Sequence, residues 1–86
     1  MVTYQIEFSR QADRQFRTLS SQIQQRLKSR IDSLAATPRP HGSEKLSGAD
    51  QLYRIRVGDY RIVYAVEDDR LLVLVVKVGH RREVYR

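Results

Sequence analysis

Eighty-six residues suffice for one hydrophobic core and not for two, so a single domain spanning 1–86 is expected. Sixteen Lys plus Arg against ten Asp plus Glu leave a formal charge of +6, which favours a polyanion or an acidic protein partner without choosing between them. The absence of cysteine excludes disulfides and thiolate metal sites.

The longest apolar run, Leu71 to Val76, falls far short of the ~20 residues that a membrane span requires. Met1-Val2-Thr3-Tyr4 alternates like a strand and joins no basic segment to an apolar one, so no secretory signal is expected and the cytoplasm is the expected location.

From Val2 to Phe8, the apolar Val2, Tyr4, Ile6 and Phe8 alternate with polar neighbours, the period of a strand with one face buried. Ser9 can cap a short helix whose Ala12, Phe16 and Leu19 share a face. Ser20 or Ser21 can cap a second helix, where Ile23, Leu27, Ile31 and Leu34 recur until Thr37-Pro38-Arg39-Pro40 halts the pattern. The stretch from Arg39 to Asp50, rich in Gly, Ser and Pro, reads as a connection and carries Lys45.

Leu52 to Val57 then alternates, with Tyr53, Ile55 and Val57 on one face and Leu52, Arg54 and Arg56 on the other. Gly58-Asp59 is a hairpin turn into a strand over Tyr60 to Val66, which sets Ile62, Tyr64 and Val66 opposite Arg61, Val63 and Ala65. After Glu67 to Arg70, the run Leu71 to Val76 reads as a central strand buried on both faces. The order βααβββ predicts an α+β fold, with a helical hairpin on one face of a mainly antiparallel four-stranded sheet.

The hairpin brings Arg54, Arg56 and Arg61 onto one polar face. Each could pair with an acid such as Glu7 or Asp59, or the three could await an anion, to whose oxygens arginine presents a planar donor fork. The second reading is the favoured one. The tail from Gly79 to Arg86 adds His80, Arg81, Arg82 and Tyr85; a turn at Gly79 and an apolar anchor at Val84 would carry Arg81 and Tyr85 to the arginine face. Alternation puts Tyr53 and Tyr64 in the core. Arg10, Arg14, Arg17, Arg26, Lys28 and Arg30 on the helices form either a solvated face or a grip on nucleic-acid phosphates.

The segments Lys45-Leu46-Ser47-Gly48, Leu52-Tyr53-Arg54-Ile55-Arg56-Val57, Asp59-Tyr60-Arg61-Ile62-Val63-Tyr64 and Val78-Gly79-His80-Arg81-Arg82-Glu83-Val84-Tyr85, in that order and spacing, resemble the RelE family of toxin–antitoxin systems. The resemblance implies a ribosome-dependent endoribonuclease that cuts messenger RNA in the decoding site and is held inactive by a co-encoded antitoxin, expected to be acidic where it covers the cationic surface. It maps the family's phosphate-stabilising and acid-base positions onto Arg54, Arg56, Arg61, Arg81 and Tyr85, with Lys45, His80 and Arg82 as further catalytic or RNA-binding candidates. It implies no metal and no cofactor. Arg61 and Arg81 would stabilise the charge that develops when a ribose 2′-hydroxyl attacks the adjacent phosphate, and Tyr85 could stack on a displaced base.

The family pattern carries lysines where this chain has Arg54 and Arg56. An arginine effectively cannot lose its proton, so the general base is sought among His80, Tyr85, Lys45 and groups of the ribosome. Two other classes compete: a non-enzymatic gyrase inhibitor like the ParE toxins, which share the fold, and an inactive relative that only binds RNA.

Overall fold

A computed structural model describes residues 2–46 and 51–81. Its elements are β1 (Gln5–Phe8), α1 (Arg10–Arg17), α2 (Ser21–Ser33), β2 (Glu44–Lys45), β3 (Leu52–Val57), β4 (Tyr60–Glu67) and β5 (Leu72–His80), with a 3₁₀ turn at Asp68–Arg70 before β5. Both helices start where the sequence offers a cap: Ser9 Oγ accepts from the Ala12 amide and Ser20 Oγ from the Ile23 amide.

The sheet has order β1-β5-β4-β3-β2 and is antiparallel except for β1 against β5. It therefore holds five strands where four were expected. The additional one, β2, is two residues long and pairs Glu44 with Arg54 and Lys45 with Tyr53. Two residues display no alternation, and Gly42 just upstream turns the chain at φ +95°, so this stretch reads as a connection in sequence. Strand β1 is shorter than its pattern because β5 begins only at Leu72; the Tyr4 amide donates instead to Ala35 O at 2.7 Å.

Both helices cover one face of the sheet. Ala12, Leu27, Ile31 and Leu34 meet Ile55, Ile62, Tyr64, Val66, Val73, Val75 and Val78 in a continuous buried cluster. Full burial of each Leu, Ile or Val side chain favours the fold by about 1.5–3 kcal/mol. Tyr64 lies wholly inside and donates to Pro38 O at 2.9 Å, while Tyr53 stacks on it at 5.9 Å between ring centres. Both tyrosines thus stand on the helical side of the sheet, as their alternation implied.

Strand β5 is longer than the apolar run that announced it, and it is irregular. Tyr64 pairs with Val75 but Val63 pairs with Lys77, so Val76 is an extra residue, a β-bulge. The bulge reverses the phase of the strand: Val73 and Val75 face the core, and so does Val78. Helix α1 holds it in place. The Ser9 hydroxyl donates to Val76 O at 3.2 Å, the Ser9 amide donates to Val75 O at 2.8 Å, and Gln15 Oε1 accepts from the Val78 amide at 2.9 Å.

Distant segments are clasped around Asp68. Its carboxylate accepts from the Tyr4 hydroxyl at 2.6 Å and from the Arg39 guanidinium at 2.8 and 3.1 Å, while Arg39 Nε donates to the Tyr53 hydroxyl at 2.9 Å. Arg39, and then Tyr4, hold the Asp68 carboxyl below its ordinary range. A carboxyl whose folded pKa is depressed stabilises the fold above the unfolded value, and this contribution disappears as pH falls through the depressed one. Asp68→Asn is therefore expected to flatten the acid limb of the stability curve below the ordinary carboxylate range, as measured by urea unfolding across pH.

The β3–β4 turn needs its glycine. Gly58 sits at φ +61°, and a β-carbon there would stand 3.1 Å from Nη2 of Arg26. Gly58→Ala should lower the unfolding free energy by about 1–2 kcal/mol, read as a lower urea midpoint at unchanged slope.

Candidate nucleic-acid interface

The face of the sheet opposite the helices carries the cations. Residues directly across from one another share a face, so the register lays out rows. One runs Glu44, Arg54, Val63, Lys77 and the next Arg56, Arg61, Gly79. Arg56 and Arg61 are thus like charges placed directly opposite, an arrangement that opposes folding.

Arg61 lies at the centre of this arrangement and is 7% exposed. Its Nη1 donates to Gly58 O at 3.4 Å and Tyr60 O at 3.2 Å, and among the described residues its Nε has no hydrogen-bond partner. Burial, then Arg56, Arg54 and Arg81, push its pKa down, with Asp59 opposing. Guanidinium groups from two strands, β3 and β4, and from the residue that follows β5 therefore act on one another here. Arg81 joins through its backbone, whose amide donates to Asp59 O at 2.9 Å, so the β3–β4 turn also anchors the start of the tail. The Arg26 guanidinium rests against Gly58 of the same turn from α2.

Acids neutralise this surface only in part. Arg54 forms an ion pair with Glu44, the neighbour supplied by β2, rather than with Glu7 or Asp59. The other ion pairs of the described residues, Arg17 with Asp13, Lys28 with Asp32, Arg39 with Asp68 and Arg70 with Glu67, lie on the helices or around the turn before β5.

Several expected positions fall elsewhere. Gly79 does not turn the chain away; it lies within β5, directly across from Arg61. His80 continues the strand opposite Tyr60, in the register of the core face, with its ring edge-on to Tyr60 at 5.7 Å. Lys45 pairs with Tyr53 and so also falls in the register of the helical side. Arg82, Tyr85 and the proposed Val84 anchor lie outside the described residues. The residue that sequence reasoning missed is Lys77, which belongs to the arginine face; simple alternation along β5 would have sent it to the core. An apolar depression of about 200 Å³ lined by Phe8, Phe16 and Ile31 opens on the helical side, away from these cations.

The described residues thus form a mixed sheet backed by a helical hairpin, with arginines gathered on the opposite face. Comparison with known proteins gives the same architecture a lineage. Residues 6–85 match the model of the ParE toxin of type II toxin–antitoxin systems. The mRNA interferase toxin RelE of Escherichia coli K12 is 33% identical, with 98% of this chain and 92% of that protein aligned. The toxin in the crystal structure of the intact E. coli RelBE complex superposes with a TM-score of 0.80 at 32% identity, covering 90% of this chain and 95% of that one. The RelBE2 complex of Mycobacterium tuberculosis gives 0.83 at 25% identity, covering 94% of each. The chain belongs to the RelE/ParE family of toxins of type II toxin–antitoxin systems.

A buried cation surrounded by like charges is unfavourable for the fold itself. Arg61→Met is expected to raise the unfolding free energy by about 1 kcal/mol, because an apolar side chain of similar length removes the buried charge. Thermal and urea unfolding measure this, and a marked loss of stability would mean that the carbonyl contacts of Arg61 outweigh the repulsion.

Proposed function

We propose that this protein is the toxin of a toxin–antitoxin pair and acts in the cytoplasm as a ribosome-dependent endoribonuclease, cutting messenger RNA in the decoding site and so stopping translation. The single observation that carries the reading is the burial of Arg61 among Arg54, Arg56 and Arg81, a charge cluster that gains nothing for folding and suits an incoming phosphate. Relatives named mRNA interferase RelE, aligned over nearly the whole chain, support the same activity.

The chemistry follows from the donors. When the ribose 2′-oxygen attacks the adjacent phosphorus, negative charge grows on the non-bridging oxygens. Fixed guanidinium forks meet that charge best in the transition state, which lowers the barrier without a metal. Arg61 and Arg81 take this role, Arg56 adds charge beside them, and Arg54, already held by Glu44, positions the chain of phosphates. Tyr85 stacks on a base next to the cut, and Arg82 contacts RNA around it.

The partner that keeps the toxin silent is a cognate antitoxin with an acidic toxin-binding segment, in keeping with the RelBE complexes among the solved relatives. The competing outcome is a ParE-type toxin that binds gyrase and cuts nothing, since the matching family model carries the ParE description.

Primer extension on a translated reporter decides between them: discrete cuts inside codons are expected. The new ends should be a 2′,3′-cyclic phosphate and a 5′-hydroxyl, the products of internal attack. Arg61→Ala and Arg81→Ala should each slow cutting by about 100-fold or more, the scale set by losing one transition-state donor. Intact message accompanied by DNA damage would replace the nuclease with the gyrase binder, and binding to RNA without cuts would leave an inactive relative.

A further inference from the structure

Cleavage by internal transesterification requires a proton for the departing 5′-oxygen as well as charge for the phosphate. The arginines answer the second need and not the first, because a guanidinium holds its protons too tightly to give one up readily. His80 and Lys45 stand in the register of the opposite face. The chain has three lysines, at 28, 45 and 77. Lys28 is on α2, so among the described residues Lys77 alone brings an ammonium to the arginine face.

Its place there is built rather than incidental. Without the extra residue at Val76, Lys77 would point into the helical core. The bulge turns it outward, and α1 grips the backbone on either side of it through Ser9 on Val76 O and Gln15 on the Val78 amide. Lys77 stands directly across from Val63, two positions along from the Arg61–Gly79 pair and so in the next row of the same face, and Val63 in turn faces Arg54. Lys77 is half-buried and, among the described residues, has no carboxylate within ion-pair distance.

We propose that Lys77 is a catalytic residue of this site, the general acid that protonates the leaving 5′-oxygen. This rests on the ribonuclease reading above. The 2′-oxygen forms its bond to phosphorus as the P–O5′ bond breaks; the ammonium of Lys77 passes one proton to the 5′-oxygen. The proton of the 2′-hydroxyl leaves to water, and Lys77 is reprotonated from water afterwards. The products are a 2′,3′-cyclic phosphate and a free 5′-hydroxyl, with no net change in the enzyme.

The test uses the full-length toxin on ribosomes programmed with two messages, one ordinary and one carrying sulfur in place of the bridging 5′-oxygen at the cut site. A thiolate leaves without a proton. Lys77→Met and Lys77→Arg should both slow cutting of the ordinary message by about 100-fold or more, the scale of general acid catalysis, and both should cut the sulfur-bridged message at the wild-type rate. Lys77→Arg cutting the ordinary message normally would mean that charge alone matters, and Lys77→Met slow on both messages would mean a binding or structural role; either result overturns the assignment. Should Lys77→Met fail to fold, Lys77→Arg, which keeps length and charge, decides alone. A wild-type protein that cuts neither message brings down the nuclease reading together with this one, whereas normal wild-type cutting with an unimpaired Lys77→Arg brings down only the role of Lys77.

Discussion

The extra residue in β5 is the constraint on which the rest of the structure depends. It lets one strand serve two faces with opposite demands. Before Val76 the strand gives Val73 and Val75 to the core; after it, Val78 keeps the core filled while Lys77 and Gly79 pass to the cationic face. A bulge leaves backbone groups without ladder partners, and unsatisfied buried groups are expensive. Here α1 supplies the partners, through the Ser9 hydroxyl and the Gln15 carboxamide. The same serine caps α1, so the helix start, the bulge and the phase of the site are fixed by one side chain.

The two faces divide the energetics. On the helical side, buried Leu, Ile, Val and Tyr side chains hold the molecule together. On the other, guanidinium groups repel one another and Arg61 is buried at a loss. Small domains have little stability to spare, so a cluster of this kind persists where it serves a ligand. An acidic partner covering it would relieve that repulsion, as would the phosphate of the proposed RNA substrate.

Much of the architecture was legible in the sequence because periodicity carried it. The caps at Ser9 and Ser20, the hairpin at Gly58-Asp59 and the partition of Tyr53, Ile55 and Ile62 from Arg54, Arg56 and Arg61 all follow from patterns several residues long. What escaped lacked such a pattern. Two residues at Glu44 cannot announce a strand, although they supply the acid that meets Arg54. A glycine in a basic tail reads as a turn, whereas at position 79 it is a strand residue directly across from Arg61. A bulge is invisible to alternation, since it is an interruption satisfied by a helix more than 60 residues away in sequence, and so the place of Lys77 on the arginine face was not legible.

The parallel pairing of β1 with β5 joins residues 67 positions apart, Gln5 with Leu72. Helix hairpin and β3–β4 hairpin can each form from local contacts, but the strand that unites them comes after both. Such closure of a long loop is slow, because its entropic cost precedes its reward. Until β5 docks, α1 has no bulge to hold, Arg61 has no Gly79 across from it, and Arg81 has no anchor at Asp59. A chain halted during synthesis before Leu72 therefore owns most of the cations but only the hairpin's share of their convergence, without Lys77, Gly79 or the anchored Arg81.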